Sequence, residues 1–288
     1  MRWLSCLGLC LFSLSASAAE LKEVWTVDTG LKMPESAWYD AATKIVYVSN
    51  IGTAPDKKDG SGYLSQYDAE GKLLKEKWIT GINAPKGIRG HGKRLVVSVV
   101  DAILVIDTER GAMAKTIPVE GAKFLNDVAV DADGNFYISD TGAGNIHRLD
   151  AEGKLTVIAK SPVTQSPNGL LVSGDKLLVG GWAKEQGADG STKVAGQLFT
   201  LDLKSGEQTF ITKEPLGNLD GLELDGKGGY LVSDWFNGKV FHVTAEGTPS
   251  TLLSMKQGTA DFAYLPEKRL LILPRMMENK LTAYELVD

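Results

Sequence analysis

Six polar residues open six similar phrases of the sequence, in which an apolar run follows and, in five of the six, a small or short side chain comes directly after the polar residue. In chain order they are Glu35, Lys86, Asn126, Asn168, Asp220 and Asp261. Carboxylate and amide oxygens are hard donors that select calcium over zinc or copper, and magnesium fits less well because it demands tighter octahedral geometry. If these side chains converge, their like charges are costly to bury unless a cation lies between them. The pattern predicts a calcium site, although Asp and Asn are also common turn residues that could simply bind water.

The spacing of these residues indicates the elements that hold them. The intervals are 51, 40, 42, 52 and 41 residues, and the interval across the two ends, counted from residue 20, is 42. Each unit contains short apolar runs separated by Gly, Asp and Asn, which is typical of β-propeller blades. We predict an all-β, six-bladed β-propeller with four strands per blade, whose N-terminal strand (21–27) completes the last blade beside 281–286. A two-domain sandwich or an open Greek-key barrel is the alternative, but neither predicts a period that closes across the termini.

Two units are longer than the others, and their extra residues follow the second strand. The resulting loops are 51–62 in unit one and 183–196 in unit four. The inner strands of a propeller line its central channel, so the six polar residues should converge near the axis at one mouth. The second strand of an antiparallel blade ends on the face where the first begins. We therefore expect both loops to border that mouth, where long loops often form the walls of a site.

Length, composition and charge exclude several classes of protein. The chain has 288 residues, 31 basic and 36 acidic side chains, a net charge of −5 and 43% hydrophobic residues. This is the composition of a folded soluble protein. Because it has no basic cluster, the chain is unsuited to binding nucleic acid or an anionic membrane surface. We predict a small-molecule ligand, no nucleic-acid or membrane partner and no obligate protein partner.

The N-terminal segment is typical of a secretory signal peptide. Arg2 precedes an apolar run, 4–14, that is too short to span a bilayer, and Ala16-Ser17-Ala18 fits a cleavage site. The alternative is an uncleaved anchor or a buried helix. We divide the chain into a signal peptide, 1–19, and a single propeller domain, 20–288, and we expect a periplasmic or secreted protein. Both cysteines lie in the predicted signal peptide, so the mature chain has no thiol and no disulfide.

Four of the six phrases carry a resemblance to a known family. Glu35, Asn126-Asp127, Pro167-Asn168-Gly169 and Leu219-Asp220-Gly221 resemble the calcium site of the senescence marker protein/gluconolactonase family, which includes regucalcin and is related in architecture to the paraoxonases. The resemblance implies one calcium ion in the central channel, with other divalent cations possible. It implies Glu35, Asn168 and Asp220 as ligands, with Asn126 as a further ligand or a substrate contact. It also implies calcium-dependent hydrolysis of a lactone or a related ester.

The chain departs from the family pattern at two positions. Phe124 stands where gluconolactonases of the regucalcin type carry an arginine that holds the sugar acid, and Lys86 stands near where paraoxonases use a histidine. The lining is therefore predicted to be more apolar than that of a sugar lactonase. The candidates for it are Trp38, Phe124, Leu125, Trp182, Trp235 and Phe262. Among them Trp182 and Trp235, at the mouth-side ends of second strands, are favoured as substrate contacts together with Phe124.

These residues suggest a division of roles in metal-assisted hydrolysis. Asp220 would accept a proton from the attacking water or orient it, and Asn126 would assist at the metal or the substrate. Lys86 would hold a substrate carboxylate or stabilise negative charge, and Asp261 would contact substrate or tune Lys86, unless the two form a plain ion pair. A non-catalytic, calcium-bound propeller that serves as a binding module is the main alternative. A lyase or synthase of the strictosidine-synthase kind is a further one, although that group generally lacks this metal set.

Overall fold

The chain folds into a ring of six four-stranded antiparallel sheets, so the predicted six-bladed β-propeller is confirmed. The computed structural model describes residues 19–187 and 191–287. The predicted signal peptide lies outside these residues, apart from Ala19. Within the described ranges the only helical segments are two short 3-10 turns, Pro266–Lys268 and Met276–Glu278. No helix in those ranges is long and apolar enough to cross a membrane.

Each of the first three blades uses four consecutive strands. They are β2 (Pro34–Asp40), β3 (Ile45–Asn50), β4 (Gly62–Tyr67) and β5 (Leu73–Ile82) in blade one; β6 (Ile88–His91), β7 (Arg94–Val99), β8 (Ala102–Asp107) and β9 (Ala112–Pro118) in blade two; and β10 (Leu125–Val130), β11 (Phe136–Asp140), β12 (Asn145–Leu149) and β13 (Leu155–Lys160) in blade three.

Blade four carries an inserted hairpin, and blade six draws a strand from each end of the chain. Blade four contains β14 (Pro167–Ser173), β15 (Lys176–Gly181), β18 (Leu198–Asp202) and β19 (Gln208–Phe210), with the hairpin β16 (Ala183–Gln186) and β17 (Thr192–Ala195) between β15 and β18; blade five contains β20 (Leu219–Leu224), β21 (Tyr230–Asp234), β22 (Lys239–Val243) and β23 (Pro249–Ser254); and blade six contains β24 (Ala263–Leu265), β25 (Leu270–Arg275), β26 (Lys280–Val287) and β1 (Glu20–Val27).

The N-terminal strand closes the ring as predicted. β1 pairs antiparallel with β26, so that Leu21 lies opposite Leu286 and Val27 opposite Leu281. The first strand of every blade contacts the first strands of the neighbouring blades in ring order. These inner strands therefore surround one central channel, and residues at their starts lie at the same mouth.

The hydrophobic core is divided among the six interfaces between adjacent blades. Between blades six and one, for example, Val46 and Val48 pack with Ile272 and Leu281. A middle strand is covered on both faces by neighbouring blades, so it reads as a nearly continuous apolar run rather than an alternating one. The run Leu95–Val97 is an example, because the blades on either side bury all three residues. The rigid interfaces fix the inner strands relative to one another.

Candidate functional site

A cavity of about 490 Å³ lies at the channel mouth, and it brings together five of the six polar residues found by their spacing. We call these five, Glu35, Lys86, Asn126, Asn168 and Asp220, the mouth ring. All five are nearly or fully buried. The complete lining is Glu35, Ile51, Pro55, Lys86, Phe124, Asn126, Thr141, Gly142, Asn168, Trp182, Gln186, Asp220, Trp235 and Met276. The volume is within the usual range for small-molecule sites.

A repeated irregularity of the inner strands aims the ring residues at the axis. In blades one, three, four and five the pairing between first and second strands is interrupted for two residues. The interruptions begin at Glu35, Asn126, Asn168 and Asp220. Such breaks redirect side chains and are frequent beside active sites. The four predicted metal ligands therefore share one backbone environment.

Serines on the second strands support these interruptions, and the sequence analysis missed them. The Ser49, Ser139 and Ser233 hydroxyls each accept a hydrogen bond from the backbone N–H that follows a ring residue, at 2.9, 2.8 and 2.8 Å respectively. Each serine replaces a partner that the interrupted ladder cannot supply. A signal was present in the sequence, because each serine follows an apolar run and precedes Asn or Asp at the same place in its blade.

Glycine after a ring residue permits close contact between inner strands. A Cβ atom on Gly169 would lie 1.6 Å from the carbonyl oxygen of Asp220, so no other residue fits this position without moving the strand. The contact places Asn168 of blade four directly beside Asp220 of blade five.

Four ring residues have buried polar atoms without a hydrogen-bond partner. The atoms are Glu35 Oε2, Asn126 Oδ1, Asn168 Oδ1 and Nδ2, and Asp220 Oδ1. Each unpartnered buried group costs about 1–3 kcal/mol, so the site is suited to a ligand that satisfies several of these atoms at once. Within residues 19–187 and 191–287, no three His, Cys, Asp or Glu side chains cluster as a metal site. The ring supplies only two carboxylates, and its other oxygens are amides. This donor set fits a hard, oxygen-liganded cation such as calcium.

The electrostatics of the ring also favour a cation. Burial, followed by the charge of Asp261, raises the pKa of Glu35 to about 8. Burial and then Glu35 raise the pKa of Asp220 well above its ordinary value. Burial lowers the pKa of Lys86 to about 8, although Glu35 and Asp56 oppose this change. The ionised forms of the Glu35 and Asp220 carboxylates are therefore disfavoured in the absence of a further positive charge.

Lys86 lies at the cavity wall against an aromatic ring. Its Nζ is 4.4 Å from the centroid of the Phe124 ring and 3.3 Å from the carbonyl oxygen of Ala84. The cation–π contact partly replaces the water lost on burial. Lys86 is thus held beside Glu35 with hydrogen-bonding capacity left for a ligand.

Asp261 is not among the cavity-lining residues, and the idea that it pairs with Lys86 is wrong. Its carboxylate instead accepts two hydrogen bonds from Arg89, at 2.8 and 3.1 Å, and one from the Ser36 hydroxyl. Arg89 also lies 3.9 Å from Glu223. We call Arg89, Asp127, Glu223 and Asp261 the arginine cluster. Asp261 pairs with Arg89 rather than with Lys86 because a guanidinium group can donate two hydrogen bonds to one carboxylate. Arg89 was overlooked in the sequence analysis because it is not the residue that opens its phrase.

The aromatic candidates separate into cavity and core residues. Phe124, Trp182 and Trp235 line the cavity and are partly exposed, and their contact with a substrate stays a prediction. Trp38 instead stacks on Tyr47 between blades one and two, with ring centroids 5.7 Å apart. The two remaining candidates, Leu125 and Phe262, are fully buried in inter-blade clusters. Only the residues at strand ends reach the mouth.

Both long loops border the mouth, as predicted from their lengths. Ile51 and Pro55 from the first loop and Gln186 from the hairpin of blade four line the cavity. The Asn218 side chain anchors the hairpin by donating to the Trp182 carbonyl at 2.8 Å and contacting Thr192 at 2.7 Å. The part of the second loop at 188–190 lies outside the described residues.

Comparison with known proteins identifies the family. Residues 33–260 match the SMP-30/Gluconolactonase/LRE-like region. The chain belongs to this family. No curated protein sequence matches the chain closely enough to count as a relative.

Solved structures confirm the propeller fold at low sequence identity. A gluconolactonase from Xanthomonas campestris is 16% identical, with a TM-score of 0.67 over 89% of this chain and 87% of that chain. A virginiamycin B lyase from Staphylococcus aureus with quinupristin is 11% identical, with a TM-score of 0.64 over 94% of this chain and 100% of that chain. A luciferin-regenerating enzyme is 15% identical, with a TM-score of 0.61 over 94% and 96%. At such identities these likenesses show the fold alone.

The structure shows where one departure from the SMP-30/gluconolactonase pattern, Phe124, lies in the site. Phe124 lies in the cavity wall, where its ring faces the Lys86 ammonium. The backbone N–H of Phe124 donates to Asp140 at 2.9 Å, and that of Lys123 donates to the same carboxylate at 3.0 Å. Asp140 thus holds the segment on which this departure occurs.

Proposed function

We propose that this member of the SMP-30/gluconolactonase family is an exported, calcium-dependent hydrolase that acts on a lactone or a related ester. The observation that carries the proposal is the set of unpartnered oxygens on Glu35, Asn126, Asn168 and Asp220. They belong to the phrases that resemble the family calcium site, and they face one cavity. In this proposal Glu35, Asn168 and Asp220 hold the ion, with Asn126 as a further ligand or a substrate contact.

The remaining steps rest on side chains of this chain. Bound calcium supplies Lewis-acid polarisation of the substrate carbonyl and charge stabilisation as the acyl oxygen becomes negative. Asp220 orients the attacking water and accepts its proton, since a general base must lie within hydrogen-bond reach of that proton. Lys86 stabilises negative charge on the substrate from the cavity wall. Trp182 and Trp235 exclude bulk water and so strengthen these interactions.

Export is part of the same proposal. Its support is the sequence of residues 1–19, with a charged start, a short apolar run and a small-residue cleavage motif. The predicted mature chain also contains no cysteine, so its folding does not depend on the redox state of its compartment. We expect a periplasmic or secreted protein, to be checked by N-terminal sequencing of material from each cell fraction.

The activity test compares the wild type with Asp220→Asn. The mature wild type should hydrolyse a member of a lactone and ester panel in calcium and lose that activity in chelator. Asp220→Asn should lower kcat/KM at least about 100-fold, because it removes both a metal ligand and the base. Asp225→Asn is the matched control, since Asp225 lies in an outer turn of the same blade and accepts hydrogen bonds from His242 and nearby backbone.

Two results would contradict the proposal. Full calcium-dependent activity in Asp220→Asn would remove Asp220 from the mechanism. Calcium binding without hydrolysis of any panel member would replace the enzyme by a calcium-bound propeller that serves as a binding module.

A further inference from the structure

The walls and the floor of the mouth cavity differ in chemistry. The floor holds the mouth ring, whereas large apolar side chains form much of the wall. They come from five blades: Ile51 and Pro55 from blade one, Phe124 from blade three, Trp182 from blade four, Trp235 from blade five and Met276 from blade six. An apolar surface therefore surrounds the reacting end of any substrate on several sides.

The apolar side chains of the wall pack against one another rather than lying isolated on the surface. Ile51, Met276 and Trp235 belong to a cluster with Ala84 and Val100 that is separate from the six inter-blade cores. The indole N–H of Trp235 donates to the sulfur of Met276 at 3.3 Å. Its one polar group is thereby engaged, and the face of the ring is left for apolar contact.

The two tryptophans form a continuous platform on one side of the cavity. The ring centroids of Trp182 and Trp235 are 5.9 Å apart, with an angle of 48° between the ring planes. Both rings are partly exposed. Asn218, just before β20, donates to the backbone carbonyl of Trp182, and this anchoring reduces the entropy lost when a ligand binds against the ring.

Few polar groups of the lining remain for hydroxyl groups of a substrate. In the proposed function the oxygens of Glu35, Asn168 and Asp220 hold the metal, and the Thr141 hydroxyl already donates to the carbonyl of Pro167 at 2.8 Å. The side-chain groups of the described lining that are left to bond a substrate hydroxyl are those of Lys86, Gln186 and Asn126 and the Nδ2 group of Asn168. A polyhydroxylated sugar lactone would lose water from several hydroxyls and regain few partners, which disfavours its binding.

We infer that the cavity takes lactones or esters that carry an apolar substituent, an alkyl chain or an aryl ring, and that it discriminates against sugar lactones. This inference rests on the proposed function, because it assigns the substrate class of the same site. The carbonyl end lies at the mouth ring, and the substituent lies against Trp182, Trp235 and Phe124. Trp182 and Trp235 are then specificity-determining residues.

The test uses the mature protein in calcium with γ-lactones bearing no substituent, a butyl, a hexyl or an octyl chain, beside glucono-δ-lactone. kcat/KM should rise roughly three- to fourfold for each added methylene until the chain outgrows the cavity. Glucono-δ-lactone should react at least about 100-fold more slowly than the octyl lactone. Trp182→Ala should flatten the chain-length dependence, so that kcat/KM falls far more for the octyl lactone than for the unsubstituted lactone, and Trp182→Phe should restore most of that dependence. Phe236→Ala is the control, because Phe236 is 56% exposed and lies outside the lining.

A binding measurement separates this inference from the proposed hydrolysis. Alkyl-substituted γ-lactams are not readily hydrolysed, and their binding can be followed by quenching of tryptophan fluorescence. Equal rates for all lactones, or a preference for the sugar lactone, would overturn the substrate class and leave the hydrolase standing. Chain-length-dependent lactam binding without any hydrolysis would overturn the hydrolase and support the apolar site. Neither hydrolysis nor lactam binding would overturn both.

Discussion

Two groups of buried polar residues lie on the inner strands of the propeller, and they differ in whether their buried polar atoms have hydrogen-bond partners. In the arginine cluster, the Asp261 carboxylate is satisfied by Arg89 and Ser36, and the Asp127 oxygens accept backbone hydrogen bonds from Val128 and Leu170 at 2.7 Å each. In the mouth ring, each of the four predicted ligands has at least one buried atom with no partner.

The difference teaches that burial of carboxylates does not by itself mark a metal site. Burial opposes the charge of Arg89, but Asp261 and the neighbouring carboxylates raise the pKa of its guanidinium above the ordinary value. The cluster therefore carries its own cation. The mouth ring has only Lys86, whose pKa falls to about 8. This difference supports the proposal that the mouth ring, unlike the arginine cluster, binds an external cation.

Removal of Arg89 should give the largest effect on stability. Arg89→Met leaves Asp261 buried without its cation, which costs roughly 3–5 kcal/mol. For a chain of this size the melting temperature should fall by about 10 °C. Thermal unfolding measured in chelator provides the comparison, so that calcium does not contribute. A fall of less than 2 °C would mean that the cluster does not depend on its arginine.

Calcium should give the next largest effect, and it should act on the mouth ring alone. A ligand at 100 times its Kd stabilises the folded state by about 2.7 kcal/mol, which raises the melting temperature by about 5–10 °C. Glu35→Gln should lose this increment because it removes a carboxylate ligand. The double comparison is decisive: Arg89→Met should start from a lower melting temperature yet keep the calcium increment. Loss of the increment in both variants would show that the two groups act as one unit.

The supporting serines should give the smallest effect. Ser139→Ala leaves the backbone N–H of Asp127 without its partner at 2.8 Å, at a cost of about 1–3 kcal/mol. The melting temperature should fall by a few degrees, and the Kd for calcium should rise by about tenfold because Asn126 precedes the loosened residue. Ser254→Ala is the control, since Ser254 is exposed at the end of an outer strand. An unchanged calcium Kd in Ser139→Ala would confine the serine to a purely structural role.

The repeat in the sequence was enough to predict the ring of blades, its closure by β1 and the convergence of the mouth ring. Those features depend on register, and register is visible as a period. The position of Trp182 and Trp235 at the mouth could be predicted for a related reason, because both residues follow second strands. Trp38 was harder to place, since a strand residue beside an interrupted ladder can face either the axis or the neighbouring blade.

The arginine cluster was not predicted, although Arg89 and Glu223 each lie three residues after the polar residue that opens their phrase. Arg89 and Asp261 are 172 residues apart, and only the closed ring brings them together. Lys86 and Asp261 have opposite charge and equivalent positions, so the sequence left open an ion pair between them, whereas Asp261 pairs with Arg89 in the structure. The hydrogen bonds of Ser49, Ser139 and Ser233 depend on an interruption of pairing that composition does not reveal.

The pairing of β1 with β26 links the outermost strand of blade six to residues that line the central channel. Glu20 lies opposite Val287, so one ladder fastens the two ends of the domain. At the same seam, the Asp261 N–H donates to the Glu35 carbonyl at 3.0 Å, and the Ala37 N–H donates to the Asp261 carbonyl at 3.1 Å. Glu35 therefore lies at the junction of blades six and one, which the pairing of β1 helps to keep closed. We therefore expect the pairing of β1 to influence how far Glu35 lies from the other residues of the mouth ring.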